Sequence, residues 1–240
     1  MPIENLFFAK QDVQIDKGPL TRPAYLKKLS VRDGLSGIQE SKQTAYCALS
    51  LTLTPDELKP ILKERQTKLM NILKEAGLTA YDPGSAPLSP DSGLTIGPEE
   101  IYRVDKGKVV GARFFVSLDL LPSTGVGVEE ETARTYNRIA VILHDKAIRT
   151  SRMQPNRIIH LQYDDLDLQR GQLIEVFRFL QRFEPGIGFE NGVPVLLGFQ
   201  RNHAVNLEKE TYKTFPDLKY EYDGSKPIVK LKAVNPDVFV

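Results

Sequence analysis

Short apolar runs alternate with stretches of helical periodicity through the middle of the chain. Residues 44–51 are apolar and short, the pattern of a buried strand. Thr54, Pro55 and Glu57 then have the spacing of a capping box with proline at the first helical position. Leu58, Ile61, Leu62, Leu69, Ile72, Leu73 and Ala76 follow at helical spacing, with Gly77 as the stop. Pro60 falls awkwardly within that helix and is expected to kink it or delay its start. Residues 78–81 read as a second strand and residues 82–98 as a long loop of the kind that carries function. A helix is predicted from Pro98 to Lys108, a buried strand over 112–118, and a glycine turn over 123–129. After it come a helix over 129–136 and a buried strand over 139–143.

This alternation of strand and helix predicts an α/β fold: a three-layer sandwich around a central, mostly parallel sheet of flavodoxin-like or Rossmann-like kind. A last helix is expected over 166–183, with Leu173, Val176, Phe177 and Leu180 on one face, closed by Pro185 and Gly186. The ends differ from the middle. Residues 1–42 show no sustained period; Phe7–Ala9 and Ala24–Leu26 read as short strands or turns. Residues 186–240 hold two strand-like runs, 193–197 and 228–231, joined by a polar connector. The expected organisation is therefore an N-terminal extension (1–42), an α/β domain (43–185) and a β-rich C-terminal extension (186–240) that adds edge strands or reaches a second subunit.

Charge narrows the function. The 240 residues carry 32 basic and 31 acidic groups, a net of +1. No field of one sign follows, which disfavours nucleic acid as a partner but leaves local phosphate recognition open. One cysteine, Cys47, rules out an intrachain disulfide framework, and without neighbours that would lower its pKa it reads as a core residue. The three histidines, His144, His160 and His203, are far apart in sequence and lack metal-ligand spacing, so neither a metal nor a cofactor is expected. Asp164, Asp165 and Asp167 lack the pattern of a calcium loop and fit a capped helix start. No secretory signal and no apolar run long enough for a membrane is seen, so a cytoplasmic protein without a membrane partner is expected.

Candidate chemistry gathers in the glycine turn. Ser123, Gly125 and Gly127 lie between a buried strand and a helix, where open parallel sheets bind ligands. The glycines permit close approach of a ligand, the helix start offers amide donors to an anion, and Ser123 adds a hydroxyl. Glu129 stands at the mouth of the turn, where a carboxylate can attack or stabilise an electrophilic sugar carbon. Glu129, Glu130 and Glu131 are equally explained, by themselves, as favourable charges at a helix N-terminus. Asp119 ends the preceding strand and either touches a sugar hydroxyl or begins the turn.

The surrounding residues resemble the nucleoside 2-deoxyribosyltransferase superfamily, and within it the 2′-deoxynucleoside 5′-monophosphate N-hydrolase branch. Residues 122–129 fill that branch's Pro-Ser-x-Gly-Val-Gly-x-Glu turn, and Asp105 stands eighteen positions before Ser123, as in the family. Ser151 beside Met153 resembles a phosphate-binding serine. In the first strand Tyr46 and Ser50 match the family's spacing, but Thr52 stands where the family has arginine; a pairing shifted by one residue sets Cys47 against a family cysteine instead. The strand that opens Ala-Asp in the family here has Arg113. The likeness spans about residues 44–183. It implies hydrolysis of a nucleotide N-glycosidic bond by a homodimer acting on a small-molecule nucleotide. Glu129 would act at C1′, Asp105 would bind the base or protonate its leaving nitrogen, and Tyr46 would orient Glu129. Ser123, Gly125, Gly127, Ser151 and Ser50 would hold the phosphate or the rest of the substrate. Transfer to a second base, cleavage of NAD or a nucleotide signal, and a non-catalytic nucleotide-binding module are the competing readings.

Overall fold

A computed structural model describes residues 22–50, 54–85, 96–121, 123–145 and 158–182 and, as backbone, the strands at 186–190, 193–197, 219–222 and 227–230. In chain order the main elements are α1 (Arg22–Arg32), β1 (Ser41–Ala48), α2 (Lys59–Glu75), β2 (Thr79–Tyr81), α3 (Pro98–Gly111), β3 (Ala112–Asp119), α4 (Thr124–Thr135), β4 (Ile139–Asp145), β5 (Ile158–Tyr163) and α5 (Arg170–Leu180). Four strands follow: β6 (Gly186–Glu190), β7 (Val193–Leu197), β8 (Lys219–Tyr222) and β9 (Pro227–Lys230).

The sheet runs β2-β1-β3-β4-β5-β9-β8. Strands β2, β1, β3, β4 and β5 are parallel throughout, the expected α/β arrangement with helices on both faces. β9 adds in parallel to β5, and β8 closes that edge antiparallel, so the C-terminal segment does supply edge strands. β6 and β7 pair separately as an antiparallel hairpin. The order of the first five strands reverses between β1 and β3. In open parallel sheets that reversal leaves a crevice at the carboxyl ends of the strands, and ligands bind there.

Side-chain alternation divides the core. Cys47, Phe114, Val116, Val141, Leu143 and Leu161 face α2 and α5, which contribute Leu69, Ile72, Leu73, Leu173 and Phe177. Tyr46, Ala48, Phe115, Ala140 and Ile142 face α3 and α4, which contribute Val109 and Ala133. On the first face Gln66, inside α2's buried stripe, donates from Nε2 to the carbonyl of Cys47.

Several elements depart from the sequence expectations. The capping box at Thr54 does not form: the Thr54 hydroxyl donates to the carbonyl of Ser50, and α2 starts at Lys59 with Pro60 in its first turn. Proline lacks an N–H and tolerates only that turn, so it sets the start. Ala24–Leu26 belong to helix α1, not to a strand or turn. Leu26 and Leu29 pack with Val110 at the end of α3 and Tyr136 beyond α4. Helix α4 begins at Thr124, five residues before the expected start. Ser123 caps it, accepting from the amide of Val126 at 3.5 Å, and the cap offsets part of the helix cost of Gly125 and Gly127. The last helix, α5, covers 170–180 within the expected 166–183. Asp165 turns the chain ahead of it by accepting from the amides of Asp167 and Leu168. At the amino edge of the sheet Arg113 and Arg138 are buried at 2% and 4% exposure, and both bind the carboxylate of Glu40. Among the described residues no helix is long and apolar enough to cross a membrane.

Candidate active site

The early start of α4 moves Glu129 from the mouth of a turn into the helix's second turn, facing the sheet. There the Tyr46 hydroxyl donates to Glu129 Oε1 at 2.7 Å. Tyr46 is fully buried on β1, stacked between Tyr81 (ring centroids 5.5 Å apart) and Phe115 (6.1 Å). The stack fixes the ring, and the ring fixes the carboxylate. Asp105 reaches the same place from α3, and together Asp105, Glu129, Gly125, Tyr102 and Val128 line a cleft of about 260 Å³.

The electrostatics of this cleft are unusual for surface acids. Burial raises the Glu129 carboxyl to about 7; the Tyr46 hydrogen bond pulls it down and the nearby charge of Asp105 pushes it up. Burial also raises Asp105. Tyr46 is held well above the ordinary phenol range by burial and by the two negative charges, so it remains a donor. Two carboxyl groups with upward shifts in one cleft can divide the roles of proton carrier and nucleophile.

The other predicted residues are distributed around this centre. Gly125 lies in the first turn of α4 and lines the cleft; Gly127 lines an adjoining cavity of about 560 Å³. A side-chain carbon at Gly127 would meet nothing within 4 Å, so the backbone there is open to a ligand. The Ser123 oxygen accepts from the helix, which leaves its O–H to donate. Ser50 is buried just beyond β1 at 6% exposure. Ser151 lies outside the described residues, as do Thr52 and Arg152. Cys47 lies on the opposite face from Tyr46, fully buried, with its thiol pushed far up by burial; it is an inert core group.

No protein-family profile matches the chain, and no curated protein matches it in sequence. Among solved structures it is similar to Clostridium botulinum CMP N-glycosidase, BcmB, with a TM-score of 0.41 and 14% identity over 54% of this chain and 96% of that one. It is similar also to BlsM, solved in solution, with a TM-score of 0.41 and 15% identity over 57% of this chain and 91% of the other. Both are likenesses of fold.

One polar group escaped the sequence reading. Far apart in sequence, His144 and His160 meet in the fold: His144 Nε2 is 2.7 Å from His160 Nδ1, and His144 Nδ1 is 3.0 Å from Asp119 Oδ2. Both rings are 2% exposed. The array crosses three neighbouring strands, β3, β4 and β5, on the face toward α3 and α4. A signal was present: each histidine interrupts an apolar strand at a position of the same parity. Spacing rules written for metal ligands could not register it. Among the described residues no group of three or more histidine, cysteine or acidic side chains is arranged to hold a metal ion.

Proposed function

We propose that this chain hydrolyses the N-glycosidic bond of a (deoxy)nucleoside 5′-monophosphate or a related nucleotide, with Glu129 as the nucleophile. The observation that carries the reading is the Glu129 carboxylate, half-buried in a cleft, aimed by Tyr46 and faced by Asp105. In the first step a Glu129 oxygen bonds to C1′ while the C1′–N bond breaks. Asp105, whose carboxyl burial shifts toward its protonated form, is the proposed donor of a proton to the departing base nitrogen. In the second step water adds to C1′, the ester bond to Glu129 breaks, and Asp105 takes the water's proton. The products are the free base and the sugar 5-phosphate, and both side chains return to their starting states.

The 5′-phosphate belongs at the start of α4. Unsatisfied backbone amides there point outward and the helix dipole favours an anion. The Ser123 hydroxyl and the open backbone at Gly127 suit close approach, and Ser151 is proposed to join them. Asp119, at the carboxyl end of β3, is proposed to accept from a sugar hydroxyl. Incubation with a panel of ribonucleoside and deoxyribonucleoside monophosphates is expected to release free base. Release of no base from any nucleotide overturns the proposal.

A further inference from the structure

The Asp119–His144–His160 array has no part in the chemistry at C1′, yet it is costly to bury. Two imidazoles and a carboxylate replace apolar side chains on three adjacent strands, and their polar atoms must be satisfied there. Hydrogen-bond logic fixes the first contact. A carboxylate only accepts, so His144 Nδ1 carries a hydrogen and donates to Asp119 Oδ2. His144 Nε2 and His160 Nδ1 share the next bond, one donating and the other accepting according to the tautomer. The ring centroids are 5.0 Å apart and the planes within 19°, so each ring also restricts the other's rotation. His160 thus holds the His144 ring in place, and His144 orients the carboxylate.

Asp119 is the exposed end of this chain of bonds. Its side chain is 28% exposed, against 2% for His144. Among the described residues His144 is its only hydrogen-bond partner, and that bond engages Oδ2. Oδ1 is left as an oriented acceptor at the carboxyl end of β3, on the face that carries Tyr46 and Glu129. Ser123, which caps α4, follows four residues later. A fixed carboxylate oxygen at the carboxyl end of the sheet, on the same face as Glu129, is complementary to a hydroxyl donor.

We propose that His144 and His160 are positioning residues that hold Asp119 as the acceptor for a ribose 2′- or 3′-hydroxyl, and so select the sugar. The inference rests on the nucleotide reading above and adds its sugar specificity. A pocket built to hydrogen-bond a hydroxyl rejects the analogue lacking it, because the buried acceptor then goes unpaired.

Glu129→Ala provides a background in which binding is read without turnover. Titration with ribonucleoside 5′-monophosphates and their 2′-deoxy and 3′-deoxy counterparts is expected to show one hydroxyl whose loss weakens binding about tenfold or more. Adding Asp119→Ala should bring the ratio between hydroxyl-bearing and deoxy ligand close to one. His144→Phe should act likewise. His144→Asn, whose amide nitrogen stands near the place of Nδ1, should keep most of the preference. In the otherwise native chain the same changes should raise KM more for the hydroxyl-bearing substrate than for its deoxy counterpart. A purely structural role would affect all substrates alike. Asp119 is partly exposed, so its alanine variant is informative even where a histidine variant fails to fold. An unchanged hydroxyl ratio in Asp119→Ala overturns the proposal, as does the absence of any hydroxyl preference in the parent. Hydroxyl-selective binding without base release from any nucleotide would instead overturn the glycosidase reading and leave this one standing.

Discussion

At the carboxyl ends of the strands, the two faces of the sheet handle acidic groups in opposite ways. Toward α2 and α5, Asp145 ends β4 and is ion-paired by Arg65, which also donates to the Tyr163 hydroxyl at 3.3 Å. Toward α3 and α4, Glu129 is bonded by a phenol and Asp119 by an imidazole, and Asp105 lies close enough to add its charge to that of Glu129. The Asp145 carboxylate has a cation for a partner. Glu129, held by a phenol, keeps a pKa that burial raises, and with it a cost in stability once it ionises. Structures tolerate that cost where chemistry needs it. The contrast assigns structure to one face and function to the other, and it can be broken residue by residue.

The largest effect belongs to Glu129. Glu129→Ala removes the proposed nucleophile and is expected to reduce base release by about 10³-fold or more. The check is chromatographic detection of free base at saturating nucleotide. Retained turnover would move the function away from this face.

The same residue yields the next effect, on stability. The ordinary glutamate value of 4.5 is raised to about 7 in the folded protein. The folded state therefore holds its proton more tightly than the unfolded chain does. The stability tied to that protonated form is fully present below about 4.5 and is lost as pH rises through about 7. Glu129→Gln cannot ionise and escapes the loss. It should unfold later in urea than the parent at pH 8, by an amount on the order of 3 kcal/mol, and the advantage should vanish in acid. Equal urea midpoints at pH 8 would mean that Glu129 is solvated.

How much of this was legible in the sequence follows from the kind of signal each feature carries. Strand and helix alternation announced the parallel sheet, because apolar runs on a doubly covered sheet need no partner to be seen. Residues 122–129 and Asp105 pointed to the cleft through fixed spacing. Ser123 was read from the sequence as a phosphate donor, and its role as the cap of α4 was missed. The glycines masked the start of α4, and with it the inward placement of Glu129. Pro60 told the start of α2 more faithfully than the capping pattern at Thr54, since a missing N–H is a harder constraint than a favourable cap. Each histidine showed only as a polar interruption of an apolar strand, and their meeting was hidden because it depends on register between strands. His144 pairs with Gln162 and His160 with Ile142, and no local pattern encodes that offset.

A smaller effect tests the other face. Arg65→Ala deprives Asp145 of its ion pair, and since the Arg65 side chain is 31% exposed the loss is moderated by solvent. A destabilisation of about 1–3 kcal/mol is expected, seen as a lower urea midpoint, with kcat and KM unchanged. A fall in kcat at unchanged stability would erase the distinction between the faces.

The smallest effect is the most discriminating, because it alters the donor and leaves the acid in place. Tyr46→Phe keeps the ring stacked with Tyr81 and Phe115 and deletes only the hydroxyl that donates to Glu129. That hydrogen bond lowers the Glu129 pKa against burial, so its loss pushes the pKa further above about 7. A nucleophilic carboxylate must be ionised, so base release by the parent should rise with pH through about 7. In Tyr46→Phe the rise should begin at higher pH. At neutral pH the rate should fall about tenfold, the worth of one hydrogen bond to a charged group. The deficit should deepen in acid and narrow in alkali, where Glu129 ionises without help. The measurement is the pH dependence of kcat for both proteins on the best nucleotide of the panel. A uniform loss at every pH would mean that Tyr46 only places the carboxylate. A rate and profile identical to the parent would mean that the bond between β1 and α4 holds the two elements together and nothing more, and the function assigned to this face would then rest on Asp105 and Glu129 alone.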